Sequence, residues 1–365
     1  MKRQLLGVAA FMLALSAHAQ DNPLWMRYCA ISPDGTSIAF TYKGDIYTVP
    51  VNGGKAAQIT TNAAHDTHPV WSPDGKQIAF ASDRMGSMDI FVVDREGGIP
   101  KRLTTHSGNE TPVAFKDADH ILFLANVMPS AEDAQFPSGQ FQQVYEVSTT
   151  GDRPVMFSSM PMEDISINKT GNALLYHDKK GYEDPWRKHH TSSITRDIWL
   201  CSLDGKRSYR KLTSFNGEDR TPVWASDGKS FYYLSEEKGS FNVFKRALDG
   251  TTSTQLTHHT KHPVRFLTAA DNGTLCYGYD GEIYTMKEGT EPRKVQISIL
   301  TDKNDKDLIR QIRRNGATEI ALSPDAKEVA FILRGDVYVT SVEYKTTKQI
   351  TNTPEQERDI NFAPD

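Results

Sequence analysis

The sequence lacks a surplus of charge of either sign. It contains 42 lysines and arginines against 46 aspartates and glutamates, and the basic residues do not form a stripe. Proteins that bind nucleic acid carry such a stripe as their electrostatic footprint. No nucleic-acid partner is therefore expected, and the 38% of apolar residues is ordinary for a folded chain.

Cysteine is scarce as well. The chain has three, Cys29, Cys201 and Cys276, which lie far apart and form no C-x-x-C pair. An odd number of distant cysteines argues against a framework of disulfides. Each cysteine lies in an apolar stretch typical of a strand, so we expect three buried side chains that act as small apolar groups.

Long apolar runs are missing everywhere except at the N-terminus. The run from Leu5 to Leu15 follows two basic residues and precedes the small residues Ala17 and Ala19. This arrangement predicts a signal peptide over residues 1–20, cleaved near Ala19, and the run is too short to span a bilayer. A buried first helix is the alternative. We expect a periplasmic or otherwise exported protein without a membrane span.

Motifs of nucleophilic catalysis are also absent. No G-x-S-x-G elbow occurs in the chain. Serine and aspartate are plentiful, but most of them lie in turn sequences. No catalytic residue, cofactor or metal ion is expected from the sequence.

What the sequence does contain is a repeat. The clearest copy is the string P-V-W-S-P-D-G-K-Q-I-A-F at 69–80, and related strings lie at 31–40, 222–229 and 323–331. Pro-Asp-Gly is typical of a tight turn, because proline presets φ and glycine accepts a positive φ. Apolar residues flank the turn at strand-like spacing, so each copy predicts a β-hairpin.

A second motif follows each hairpin. It consists of an acidic or amide residue, a β-branched residue and an aromatic residue, and it predicts a third strand. Its seven copies are Asp45-Ile46-Tyr47, Asp89-Ile90-Phe91, Gln143-Val144-Tyr145, Asp197-Ile198-Trp199, Asn242-Val243-Phe244, Glu282-Ile283-Tyr284 and Asp336-Val337-Tyr338. A fourth strand ending in Ile-Thr or Leu-Thr completes the unit. Four short strands per unit of about 40 to 57 residues indicate an all-β propeller built of four-stranded blades.

The spacing of the copies predicts the domain organisation. We expect a six-bladed propeller over 21–298, a connector over 299–316, and the first blade of a second, truncated propeller over 317–365. A single seven-bladed ring is the alternative. Each blade has its own first and last strand, so the ring does not need a strand-exchange clasp.

The repeat resembles those of the TolB-like, or WD40-like, propeller family. Residues 21–365 as a whole resemble the N-terminal part of tricorn-type serine peptidases of family S41, in which a six-bladed propeller precedes a seven-bladed one, a PDZ domain and a peptidase domain. This resemblance implies the non-catalytic propeller portion of a serine endopeptidase, which guides or filters peptides or unfolded polypeptides toward a peptidase domain outside this chain. It also implies a homo-oligomer of the full-length protein.

Two alternatives to that function stay open. The first is a TolB-like periplasmic scaffold that binds other proteins, and the second is the propeller of a prolyl-oligopeptidase-type α/β-hydrolase. The tricorn-type family is best known as cytosolic, so the predicted signal peptide departs from its pattern.

The insertion at about 179–196 is the best candidate for a binding loop. Its candidate residues are Trp186, Arg187, His189 and His190. An aromatic ring with cationic neighbours could hold the carboxylate or the backbone of a peptide. A surface loop with a packed tryptophan is the alternative.

Histidines form two further clusters. His258, His259 and His262 have a spacing that suits a metal ion. However, His68 and His262 each precede a Pro-Val pair, which predicts that the two occupy the same position in two blades. We therefore expect loop and packing roles for these histidines.

Overall fold

The computed structural model describes residues 23–126, 141–182, 184, 186, 191–300, 315–344, 346–353 and 355–364. All regular elements in these ranges are β-strands. None of the described residues forms a helix long and apolar enough to cross a membrane. The chain divides into two compact units between Thr301 and Asp302. The predicted signal peptide, and most of the predicted connector, lie outside the described residues.

The first three sheets of the first unit are four-stranded and antiparallel. The first has β1 (Arg27–Ile31), β2 (Ser37–Tyr42), β3 (Asp45–Pro50) and β5 (Ala57–Gln58), with β4 (Gly54–Lys55) between the last two in the chain. The second has β6 (Asp66–Trp71), β7 (Gln77–Ser82), β8 (Asp89–Asp94) and β9 (Lys101–Arg102). The third has β10 (Thr111–Phe115), β11 (His120–Ala125), β12 (Gln143–Ser148) and β13 (Val155–Ser158).

Three more sheets of the same kind follow in this unit. The fourth has β14 (Met162–Ile167), β15 (Ala173–Asp178), β16 (Ile198–Ser202) and β17 (Ser208–Lys211). The fifth has β18 (Asp219–Trp224), β19 (Ser230–Ser235), β20 (Asn242–Ala247) and β21 (Ser253–Gln255). The sixth has β22 (Arg265–Ala269), β23 (Leu275–Tyr279), β24 (Glu282–Met286) and β25 (Arg293–Lys294), and β26 (Ile297–Ser298) comes after it.

The six sheets are the blades of a ring. The first strand of each blade packs against those of the blades before and after it, and β1 of blade one packs against β22 of blade six. Every first-unit copy of the acidic, β-branched and aromatic motif lies at the third strand of its blade. The prediction of an all-β propeller with four-stranded blades is confirmed.

The second unit contains one sheet of the same design within its described residues. Its strands are β27 (Ala317–Leu322), β28 (Glu328–Leu333), β29 (Asp336–Ser341) and β30 (Thr347–Gln349). This sheet leaves Ile320 and Leu322 exposed. Whether it opens a second propeller stays a prediction.

The Pro-Asp-Gly turns are held by their own side chains. In blade two, Ser72 Oγ donates to Asp74 Oδ1 at 2.7 Å, and the backbone N–H of Lys76 donates to the same oxygen at 3.1 Å. Gly75 has a φ of 69°, in the left-handed region that glycine adopts without a steric penalty. These serines and aspartates are turn residues, as the sequence predicts.

The threonine that ends a blade has a structural function. Thr104 Oγ1 accepts a hydrogen bond of 2.9 Å from the backbone N–H of Ile90, the β-branched residue of the third-strand motif. Blade five has the same bond, from Val243 N–H to Thr257 Oγ1, also at 2.9 Å. Each bond satisfies a buried backbone donor of the third strand with a side chain at the end of the fourth.

The two ends of the described part of the first unit meet where blade one adjoins blade six. The backbone N–H of Met26 donates to the carbonyl oxygen of Gly281 at 3.0 Å. At the other end, β26 pairs in parallel with β4. The four-stranded sheets exchange no strand, as expected, but this short parallel pair joins the last segment of the ring to the first blade.

All three cysteines are buried and free. Cys29 and Cys276 belong to the apolar cluster between blades one and six, and Cys201 belongs to the cluster between blades three and four. The prediction of buried small side chains is confirmed.

Candidate functional site

The first strands of the six blades enclose a cavity of about 1030 Å³. It extends along these strands from the ends where they begin, near Trp186, to the turns that follow them, near Pro33 and Lys169. All six blades contribute to its lining. The cavity therefore follows the central channel of the ring.

A register shift interrupts the first strand of all six blades. In blade three it lies between Pro112 and Ala114. In the other five blades the bulges lie between Arg27 and Ala30, Thr67 and Val70, Glu163 and Ser166, Arg220 and Val223, and Arg265 and Thr268. The residue that follows the first member of each of these five pairs has a positive φ: Tyr28 (52°), His68 (54°), Asp164 (48°), Thr221 (52°) and Phe266 (57°). All five line the cavity, and we call them the collar. Left-handed backbone at a non-glycine residue costs of order 1–3 kcal/mol and concentrates at functional sites.

Blade three has no left-handed residue at this place. Each collar residue lies four positions before the residue that opens the turn after its strand, such as Ser72 for His68. The same offset from Lys116 leads to Pro112 in blade three. Proline fixes φ near −65°, so it cannot adopt the left-handed conformation.

The side chains of the collar contact one another. The ring of Tyr28 lies 3.7 Å from that of His68 and 4.8 Å from that of Phe266, measured between centroids. On the facing blades, Thr221 Oγ1 donates to Asp164 Oδ2 at 2.6 Å. The collar thus has an aromatic side on blades six, one and two and a polar side on blades four and five.

The aromatic side of the collar is neutral at pH 7. Burial lowers the pKa of His68 to about 4, although the charge of Asp164 acts in the opposite direction. Burial also raises the pKa of Tyr28, and Asp164 adds to this rise. The charge of Asp164 on blade four therefore acts on His68 and Tyr28 across the collar. Asp164 is the acidic member of the collar.

An ionic network lies behind the polar side. Arg196 donates to Glu218 at 2.9 Å and to Glu163 at 3.3 Å, and Arg220 is 3.5 Å from Glu218. His177 Nε2 and Lys179 Nζ contact Glu163 at 3.2 and 2.7 Å. Glu163 and Glu218 thereby offset the positive charge of Lys179, Arg196 and Arg220 on this side of the channel.

The pKa values of the network follow from burial and charge. Burial alone would raise the pKa of Glu163, but the hydrogen bond from His177 and the charges of Arg196 and Lys179 hold it well below its usual range. Burial lowers the pKa of Arg220 to about 10, against the attraction of Glu218. The Arg220 guanidinium also lies 4.1 Å from the ring centroid of Phe241. Both groups are ionised at neutral pH.

Trp186, the predicted binding residue, lies at the mouth of the cavity. Arg27 and Arg265 hold their guanidinium groups 4.8 and 5.0 Å from its ring centroid. Arg265 also donates to the Trp186 carbonyl oxygen at 2.8 Å, and the Trp186 ring meets that of Phe266 edge-on at 6.2 Å. We call Trp186, Arg27 and Arg265 the rim.

The other predicted binding residues, Arg187, His189 and His190, lie outside the described residues. Sequence reasoning missed the two rim arginines and the whole collar, since it gave His68 only a loop or packing role. A signal for the collar exists, because its members share one offset from the turn. The residue types at that offset differ from blade to blade, so the pattern is invisible without the backbone.

The predicted equivalence of His68 and His262 is wrong. Phe266 occupies the collar position in blade six, whereas His262 precedes β22 and places its Nε2 3.3 Å from Asp280 Oδ1. The reason is that Pro69 lies inside the bulge of β6, while Pro263 comes before the strand. His259 stacks on Tyr279 with centroids 3.8 Å apart. Among the described residues, no cluster of His, Cys, Asp or Glu is arranged to hold a metal ion.

Comparisons with known proteins identify a matching family model and several similar sequences. The family model of the Tricorn protease N-terminal beta propeller domain matches residues 23–292. Tricorn protease homolog 1 of Streptomyces coelicolor is 25% identical over 339 residues, which cover 91% of this chain and 30% of that protein. The Tricorn protease of Thermoplasma acidophilum is 25% identical over 87% of this chain and 29% of its own length.

A solved structure has the same fold. The crystal structure of the tricorn protease superimposes with a TM-score of 0.68 at 18% identity, over 91% of this chain and 32% of that one. The chain thus spans about a third or less of the length of these relatives.

Proposed function

We propose a peptide-handling role for this chain, which belongs to the family of tricorn protease N-terminal β-propeller domains. In this proposal it is the non-catalytic propeller portion of a tricorn-like serine endopeptidase. It guides or filters peptides or unfolded segments toward a peptidase domain outside these residues. The exported location rests on the predicted signal peptide.

The observation that carries the proposal is the cavity along the ring axis. Its volume of about 1030 Å³ lies at the upper end of the range of small-ligand sites, and it extends along the full length of the first strands. An extended segment suits this shape better than a compact ligand does. Aromatic rings and charged groups at the rim and the collar supply contacts for both side chains and backbone.

In this proposal the hydrolytic step lies elsewhere, because neither the sequence motifs nor the hydroxyl and histidine of the described site suit a nucleophile. The sequence has no G-x-S-x-G elbow. The hydroxyl of Thr221 donates to a carboxylate, and His177 Nδ1 accepts from the backbone N–H of Thr221 at 3.3 Å. A general base would need that nitrogen to accept from a hydroxyl instead.

Binding and hydrolysis by the purified chain test the proposal. Fluorescently labelled peptides from a casein digest should bind, and the chain should not cleave them. Trp186→Ala should weaken binding because it removes the aromatic surface of the rim, whereas Tyr209→Ala, at an exposed position on the outer strand β17, should not. Absence of binding, equal effects of the two variants, or hydrolysis that persists through purification would each contradict the proposal.

A further inference from the structure

We infer that Asp164 is the specificity-determining residue of the collar and receives the cationic side chain, lysine or arginine, of a bound peptide. The inference rests on the proposed function, because it requires that a peptide occupies the cavity. It adds the chemical class of the side chain that the channel selects and names the residue that selects it.

The position of Asp164 suits this role. Its side chain is 47% exposed where it lines the cavity, whereas its neighbour Glu163 is committed to the ionic network. Thr221 Oγ1 donates to Asp164 Oδ2, and His177 Nδ1 lies 3.6 Å from the same oxygen. The hydrogen bond from Thr221 holds the carboxylate in place without enclosing it. The left-handed backbone at the bulge directs the side chain into the channel, as bulges commonly do beside binding sites.

Two carboxylates of this side of the channel line the cavity, Glu163 and Asp164. Glu163 pairs with Arg196 and Lys179 and its side chain is 21% exposed, whereas that of Asp164 is 47% exposed. Asp164 is therefore the carboxylate that a lysine or arginine of the ligand can reach.

The facing side of the collar favours the same ligand. Tyr28, His68 and Phe266 present aromatic surface, which attracts cations as well as the aliphatic stems of lysine and arginine. The rim already has such contacts, since Arg27 and Arg265 both lie against Trp186. These two arginines would repel a cation at the rim. The selection therefore concerns one position of the ligand and not its net charge.

Asp164→Asn is the informative variant. Asparagine tolerates the left-handed conformation and keeps an oxygen that can accept from Thr221, so the change removes the charge and little else. Asp271→Asn is the matched control. Asp271 also lines the cavity, but at the opposite end, where Lys169 contacts it at 2.9 Å.

The experiment measures the affinity of the purified chain for labelled peptides by fluorescence anisotropy. The peptides differ only at a central position, which holds lysine, norleucine or glutamate, and a fourth peptide has the lysine moved to one end. The central-lysine peptide should bind the wild type about tenfold tighter than the norleucine peptide does, which corresponds to about 1.4 kcal/mol. Asp164→Asn should abolish this preference, and Asp271→Asn should keep it.

The outcomes separate the two proposals. Equal binding of the central-lysine and norleucine peptides to the wild type would overturn the role of Asp164 and leave peptide binding intact. The same holds if Asp164→Asn keeps the preference, or if the end-lysine peptide binds as tightly as the central-lysine one. If no peptide binds the wild type, the proposed function fails as well. The wild-type comparison needs no variant to fold, and equal melting temperatures show that the variants do.

Discussion

The indole N–H of Trp71 donates a hydrogen bond of 2.9 Å to the carbonyl oxygen of Ala30, so the first strand of blade two is bonded to the first strand of blade one. Blades four and five repeat the arrangement, with Trp224 Nε1–H donating to the Ser166 carbonyl oxygen at 2.9 Å. The tryptophan of the repeat therefore fills the space between blades and also fixes their relative position.

Trp71→Phe should lower the free energy of unfolding by about 2 kcal/mol, because it removes a buried hydrogen bond and leaves a smaller ring in a packed interface. Trp71 is 7% exposed and Trp186 is 45% exposed. Urea denaturation of both Trp→Phe variants measures the difference. An effect of Trp186→Phe on stability as large as that of Trp71→Phe would contradict the interblade role.

Thr257→Val should destabilise the fold by about 1–3 kcal/mol, because the buried N–H of Val243 loses its acceptor. Thr257→Ser is the matched control, since it keeps the hydroxyl that also donates to Asn242 Oδ1 at 2.9 Å. Thermal unfolding of the two variants is the measurement. If Thr257→Ser destabilises the fold as much as Thr257→Val does, the hydroxyl is not the group that holds the end of the blade.

Asp219 should make stability depend on pH. Burial raises its pKa to about 7, while the unfolded chain has an ordinary value near 3.9. Between these values the folded protein binds a proton that the unfolded chain releases, so this stabilisation is complete below pH 4 and is lost as the pH rises to about 7. The slope is about 1.4 kcal/mol per pH unit.

Asp219→Asn removes this dependence, because the amide stays neutral at every pH. The stability of the variant relative to the wild type should therefore increase by about 2 kcal/mol between pH 5 and pH 7, as measured by urea denaturation. Asp249→Asn, at a side chain that is 97% exposed, is the control and should follow the wild type. A constant difference between Asp219→Asn and the wild type would show that Asp219 is ionised throughout.

The fold could be predicted because each blade repeats local signals. The turn at Asp74-Gly75 and the strand at Asp89-Ile90-Phe91 depend on residues close in sequence, and the structure places both as predicted. Ring closure could not be predicted, because the pairing of β4 with β26 joins segments about 240 residues apart. Neither segment contains a sequence pattern that identifies the other as its pairing strand.

The site could be predicted only in part. Trp186 could be predicted as a binding residue, because an aromatic residue among cationic residues is a local signal. The structure places it at the rim. The collar depends on backbone conformation, which places a tyrosine, a histidine, an aspartate, a threonine and a phenylalanine at equivalent positions. No shared residue type marks that position, and the Pro-Val pair after His262 suggested a false alignment.

Photo-crosslinking tests the central claim, that a peptide binds in the channel of the ring, most directly. A peptide with a benzophenone side chain is irradiated in complex with the purified chain, and mass spectrometry locates the modified residues. We predict modification of the first strands and the rim, at Tyr28, His68, Phe266 or Trp186. Modification confined to the outer strands of the blades, such as β17 and β21, would contradict the account.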